Sequence, residues 1–225
     1  MKYLLSVLVL FMGINFALSQ SCSGYYYFKE GQIIEMTSIN KKGKTEGVTT
    51  YTVKELKKGA NGALTSTIDM IMNNEKGKET ATARTVIRCL DGNYQMDMSQ
   101  FIPSAQMEQF KDVDASGSFF LEYPSSMKTG DVLKDGKMEI QSSTNGMKMD
   151  LEMDITDRKV ESKESVTTSA GTWDCFKISS QQKIRMKMAG IGIPVKTETT
   201  EWYAPGFGMV KTQSKYGTSQ ITSIK

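Results

Sequence analysis

Eight of the sixteen methionines in this 225-residue chain come in pairs two positions apart: Met70 and Met72, Met96 and Met98, Met147 and Met149, Met186 and Met188. Residues i and i+2 of a β-strand share a face, so each pair presents two thioethers side by side, and Met153 extends the third pair along its face. Three kinds of chemistry suit that pattern. Methionine fills irregular core space; its flexible thioether also suits a groove that adapts to varied apolar ligands. Paired sulfurs further invite copper(I), but partners about 7 Å apart along one strand chelate poorly. The chain has no histidine to assist, and no metal or cofactor is assigned.

The missing histidine also removes the commonest general base, the commonest zinc ligand and the usual partner of a nucleophilic serine or cysteine. Cys175, in Trp173-Asp174-Cys175-Phe176, therefore reads as a structural thiol or disulfide cysteine. Among the carboxylates, Asp154 alternates with apolar neighbours on a polar face, and Asp157-Arg158-Lys159 reads as a solvated turn. With Glu161 and Glu164 they could be imagined as an acid/base pair, but the solvated reading is preferred. No catalytic residue is assigned, and the chain is expected not to be an enzyme.

These residues need strands to position them. Met147, Met149, Leu151, Met153 and Ile155 alternate with Lys148, Asp150, Glu152 and Asp154, and Ile184, Met186 and Met188 alternate with Lys183, Arg185 and Lys187. Such a period of two predicts sheets with one apolar and one charged face. From Gln32 onward, turn chemistry punctuates the chain at short intervals: Asn40 to Lys44, Lys58 to Gly62, Asn74 to Lys78, Asp91-Gly92 and Asn145-Gly146. The two Lys-Gly-Lys turns read as hairpin tips built the same way. One short helix is expected over Pro103 to Val113, from the spacing of Ala105, Met107, Phe110 and Val113. The polar stretch 112–118 is the candidate joint between two meanders of one domain. The segment Trp202-Tyr203-Ala204-Pro205-Gly206-Phe207 turns a corner between strands and either packs over the core or lines the mouth of a pocket.

Residues 1–19 read as a signal peptide, with Lys2 ahead of an apolar run and Ala17-Leu18-Ser19 as the cleavage site. Export to the periplasm or beyond follows, leaving a mature domain of 20–225. No later stretch approaches the ~20 apolar residues of a membrane-spanning helix, so an integral membrane protein is not expected. Cys22 is not expected to anchor a lipid, because Ser19 stands where a lipobox needs an aliphatic residue. Of the three cysteines, at most two pair within the chain. Cys89 and Cys175, both in strand-like runs, are the preferred pair, with Cys22 as alternative partner or free thiol. Lysines exceed acids slightly and are spread along the chain, which gives no concentrated footprint for nucleic acid or an anionic membrane.

A family resemblance rests on motifs in fixed order: Phe28-Lys29-Glu30-Gly31, Cys89-Leu90-Asp91-Gly92, Tyr123-Pro124 before Thr129-Gly130-Asp131, Thr167 through Ile178, and Trp202 through Lys211. Together they resemble the TapB-like family of exported Bacteroidetes proteins, related to a wider group of periplasmic domains of unknown function. Where that family tends to carry proline, this chain has Ser169. The resemblance implies an antiparallel curled sheet or half-barrel, similar in outline to periplasmic carriers that shield lipoprotein acyl chains, and it supplies no catalytic residues.

The expectation is an exported, all-β, mainly antiparallel protein that binds a lipid, another apolar ligand or an envelope partner on a concave face. That face would use Met70, Met72, Met96, Met98, Met147, Met149, Met153, Met186, Met188, Trp202, Tyr203 and Phe207. The alternative is a structural or interaction module of the envelope whose core its own side chains fill.

Overall fold

Twelve antiparallel strands form one sheet that curls into a nearly closed barrel. The computed structural model describes residues 22–59, 62–102, 119–144, 147–188 and 191–225. The export segment, the helix expected over 103–113, the joint near 112–118 and the turn at 145–146 lie outside them. The strands are β1 (Ile33–Asn40), β2 (Thr45–Lys58), β3 (Leu64–Asn74), β4 (Glu79–Leu90), β5 (Asn93–Asp97), β6 (Phe120–Tyr123), β7 (Gly136–Thr144), β8 (Met147–Thr168), β9 (Gly171–Met188), β10 (Pro194–Ala204), β11 (Gly208–Ser214) and β12 (Gly217–Ile224). Only three short 3₁₀ turns interrupt them among the described residues.

The sheet order β6-β5-β4-β3-β2-β1-β12-β11-β10-β9-β8-β7 describes two six-strand meanders joined where β1 pairs with β12. The expected turns at Asn40, Asn74 and Asp91 form as the chemistry requires. Asn40 Oδ1 accepts from the backbone N–H groups of Lys42 and Lys44, and Asn74 Oδ1 does the same for Lys76 and Lys78. Asp91 and Gly92 both adopt positive φ, 51° and 77°, as a two-residue hairpin turn demands.

The long strand β8 corrects one expectation. Asp157-Arg158-Lys159 is not a solvated turn: the strand runs through it as a bulge, with Asp157 at φ 54° and the register to β9 shifting between Thr156 and Lys159. The bulge re-aims Arg158 into the interior, where it is fully buried. Its Nη1 donates to the carbonyls of Glu122 at 3.1 Å and Lys134 at 2.8 Å, which ties β6 to the segment leading into β7. That segment also bonds the middle of β8, through Gly130 N–H to the Val160 carbonyl and Leu133 N–H to the Arg158 carbonyl. Opposite edges of the sheet thus meet beside Arg158. At Gly136 an added Cβ would stand 2.4 Å from Leu121 and 2.8 Å from the Met98 sulfur, so a residue without a side chain lets this seam close.

One end of the barrel is packed shut. Tyr25, between the two N-terminal 3₁₀ turns, and Tyr27 and Phe28, on the second, enter the core beside Tyr94, Tyr123 and Tyr203. Tyr25 stacks on Tyr94 with centroids 5.1 Å apart, Tyr123 stacks on Tyr203 at 4.6 Å, and the hydroxyls of Tyr25 and Tyr203 share a 2.9 Å hydrogen bond. Cys22 bridges to Cys89 and fastens this plug to β4. The preferred pairing of Cys89 with Cys175 is therefore wrong. Six strands separate β4 from β9 in the sheet order, and Cys175 stands opposite Glu164 on β8. It is a free, buried thiol.

Candidate functional site

Above the aromatic plug the interior is not filled. A cavity of about 380 Å³ runs from Tyr27 and Tyr94 at the closed end to Glu46 and Tyr216 at the other. It is placed by the inward rows of the strands. Thr49 and Tyr51 of β2, Met70 and Met72 of β3, and Met96 of β5 form one wall, joined by Met36 and Met209. The strands that follow, β12 to β9, line the cavity with polar but uncharged side chains, Ser219, Thr212, Thr199 and Gln182, and Ser38 continues the β1 row of Met36. Among the described residues that line it, Glu46 alone carries a formal charge, and it sits exposed at the mouth. Tyr94 Oη, Gln100 Nε2 and Thr199 Oγ1, on residues that line the cavity, are buried and have no hydrogen-bond partner among the described residues. Burial holds the Tyr51 hydroxyl up at about 12.

The methionines divide between this cavity and solid packing. Met70, Met72 and Met96 line it. Met98 packs at the seam against Gly136, and Met149 and Met153 are buried in the β8 wall outside the cavity. Met186 is half-buried opposite Leu151. Of Met147 and Met188 only the backbone pairing is described: Met147 stands opposite Thr144, and Met188 opposite Met149.

The aromatic corner does not line the mouth. Tyr203 belongs to the plug, and Phe207 packs against Tyr26, Tyr27 and Trp173 at the closed end. Trp202 lies in the opposite row of its strand, donating to Glu164 Oε1 at 2.6 Å with Lys211 4.6 Å above its ring. Met36, Met209, Tyr27 and Tyr51 were not singled out from the sequence. The alternation Ile34, Met36, Ser38 was the available signal for the first of them.

Beside the plug lies a second buried constellation. Tyr123 donates to Glu201 Oε2 at 2.9 Å, and the Arg158 guanidinium sits 4.8 Å from the Tyr123 ring centroid. Burial raises the Glu201 carboxyl above its ordinary range, and Arg158 and the Tyr123 hydrogen bond only partly oppose this. Burial likewise lifts the hydroxyls of Tyr94, Tyr123 and Tyr203 far above theirs. The Cys175 thiol is pushed up to about 12 by burial and by the nearby Asp174 and Glu164, the opposite of an activated nucleophile. The remaining carboxylates are engaged elsewhere: Asp154 with Lys183, Glu161 with Lys159 and Ser179. No three His, Cys, Asp or Glu side chains among the described residues converge to hold a metal ion. No helix among them is long and apolar enough to cross a membrane.

The model of the DUF3108-like family matches residues 29–224, nearly all of what the barrel contains. The chain belongs to the DUF3108-like family. The fold agrees with solved structures. A protein inferred to be exported, with a YmcC-like fold, from Bacteroides fragilis NCTC 9343 aligns with a TM-score of 0.64 at 20% identity, over 88% of this chain and 96% of that one. A protein inferred to be a lipoprotein from Parabacteroides distasonis ATCC 8503 aligns with a TM-score of 0.67, also at 20% identity and over the same shares. This DUF3108-like chain therefore has a YmcC-like fold. No curated protein matches it.

Proposed function

We propose that this DUF3108-like protein is an exported, non-enzymatic binding protein that holds an apolar ligand inside its barrel. The observation that carries the reading is the cavity itself. Its volume reaches the range of small-molecule sites, and one wall is made of methionines whose thioethers can re-pack around varied shapes. Buried polar atoms without partners are rare and call for an occupant. A polar group on a ligand, or ordered water, would satisfy Tyr94, Gln100 and Thr199. The absence of charge from the depth of the cavity favours a lipid or another uncharged apolar molecule over an ion.

Residues 1–19 retain the pattern of a signal peptide, and the motifs that resemble the TapB-like family suit an exported carrier. The disulfide from Cys22 supports a mature chain that is not anchored through this residue, since a sulfur in that bond cannot also carry a thioether lipid. The test is uptake of a fluorescent acyl probe. The protein should bind it in a saturable manner, and Thr49→Trp with Ser219→Trp, which put two indole rings into the cavity in place of small side chains, should abolish uptake by filling the space. Equal uptake by that variant would place binding elsewhere.

A further inference from the structure

Lysines scattered through the sequence are gathered at one end by the meander. In an antiparallel sheet alternate hairpin tips point the same way, and the tips after β1, β3, β9 and β11 all lie at the end where the cavity opens. Lys41, Lys42 and Lys44 occupy the first, Lys76 and Lys78 the second, and Lys215 the last; all are exposed. Adjacent register makes these tips neighbours, with Gly47 opposite Asn74 and Asn40 opposite Gly217. The acids beside them are Glu46, Glu75 and Glu79. None of the six lysines enters an ion pair among the described residues, whereas Arg185 and Lys187, farther down β9, are held by Glu152.

The fourth of these tips, between β9 and β10, is apolar. Pro194 pairs with Arg185, while β11 first meets β10 where Ser214 faces Thr199. The β9–β10 hairpin thus overhangs its neighbour by five residues, about 17 Å. Its end carries Ile191 and Ile193, 81% and 85% exposed, and Tyr216 is exposed on the neighbouring tip.

We propose that this end of the barrel docks on an anionic lipid surface, with the lysine tips on the headgroups and Ile191 and Ile193 inserted between them. A basic cluster and an apolar insertion are the two signals that together give stable peripheral binding. A second copy of the chain fits less well, because its own lysine collar would repel the first. The cavity mouth would then face the bilayer, but docking does not depend on what the cavity holds.

The test is flotation of protein purified from its own envelope fraction with vesicles of phosphatidylcholine alone or mixed with phosphatidylglycerol. Binding to the mixed vesicles should be at least ~10-fold tighter and should weaken as salt is raised. Ile191→Ser with Ile193→Ser, and separately Lys42→Glu with Lys76→Glu, should each lose ~10-fold or more without changing thermal unfolding, since all four positions are exposed. Equal binding to both vesicles, no binding to either, or unaltered binding by both variants overturns the proposal. So does concentration-dependent self-association removed by the isoleucine variant, which would assign the tip to a second copy.

Discussion

Tyr123 donates its phenolic hydrogen to Glu201 across 2.9 Å, joining β6 to β10 through the barrel interior. The bond places a carboxyl group, 1% exposed, within the field of Arg158, itself fully buried by the β8 bulge. Buried charge of this kind is retained only with partners, and removing one partner is costly.

Arg158→Met should therefore destabilise the protein by about 3–5 kcal/mol, and Tyr123→Phe by about 1–3 kcal/mol. Chemical denaturation measures both. A loss below about 0.5 kcal/mol for Arg158→Met would mean that the bulge does not depend on its inward side chain.

The Glu201 carboxyl has a raised folded-state value, so the folded protein binds its proton more tightly than the unfolded chain does. Its contribution to stability is most favourable below the unfolded carboxyl range. It declines as pH rises from there through the folded value. Glu201→Gln removes that decline. Denaturation of both proteins at pH 4 and pH 7 should show the variant gaining on the wild type at the higher pH; parallel changes would assign the group an ordinary titration.

The disulfide from Cys22 to Cys89 spans 67 residues, a loop whose closure is worth about 4 kcal/mol in the chain-entropy account. Cys22→Ser and Cys89→Ser should lose similar amounts of stability, and Cys175→Ser should leave the bridge intact. Alkylation followed by intact mass should find no labelled cysteine in the native protein at pH 8 and one after unfolding. Labelling of two, or of Cys175 in the native state, contradicts the assignment.

Met153 is fully buried outside the cavity, so Met153→Ala should cost about 2–5 kcal/mol. Lys187→Glu is not the neutral surface change that simple alternation suggests. Lys187 meets the carboxylate of Glu152 across the strands, and the substitution sets two like charges together. A loss of about 0.5–1 kcal/mol, relieved by salt, is expected from thermal or urea unfolding.

Strands and turns were legible because their signals are local. The alternation from Met147 to Ile155 did place Met149, Leu151, Met153 and Ile155 on a buried face, and the asparagines of the two Lys-Gly-Lys tips bond as their spacing implies. Long-range relations were not legible. Nothing local distinguishes a bulge at Asp157 from a turn, since both want a positive φ, and only the closure of the sheet around Arg158 decides between them. The disulfide went to Cys22 because the N-terminal segment folds back as a plug, and the lysines read as dispersed until alternate tips brought them to one end. The methionine pairs looked equivalent in sequence. Their separation into cavity wall and seam follows from where the sheet runs out of side chains to fill it.

The central claim is that the cavity beside Met70, Met72 and Met96 holds an apolar molecule. Native mass spectrometry of protein purified without detergent from its own envelope fraction, before and after solvent extraction, addresses it most directly. The account predicts a lipid-sized adduct that extraction removes, with a fall in melting temperature afterwards as the stabilising ligand is lost. A clean apo mass with an unchanged melting temperature would contradict it and leave the barrel as an envelope module filled by its own side chains and water.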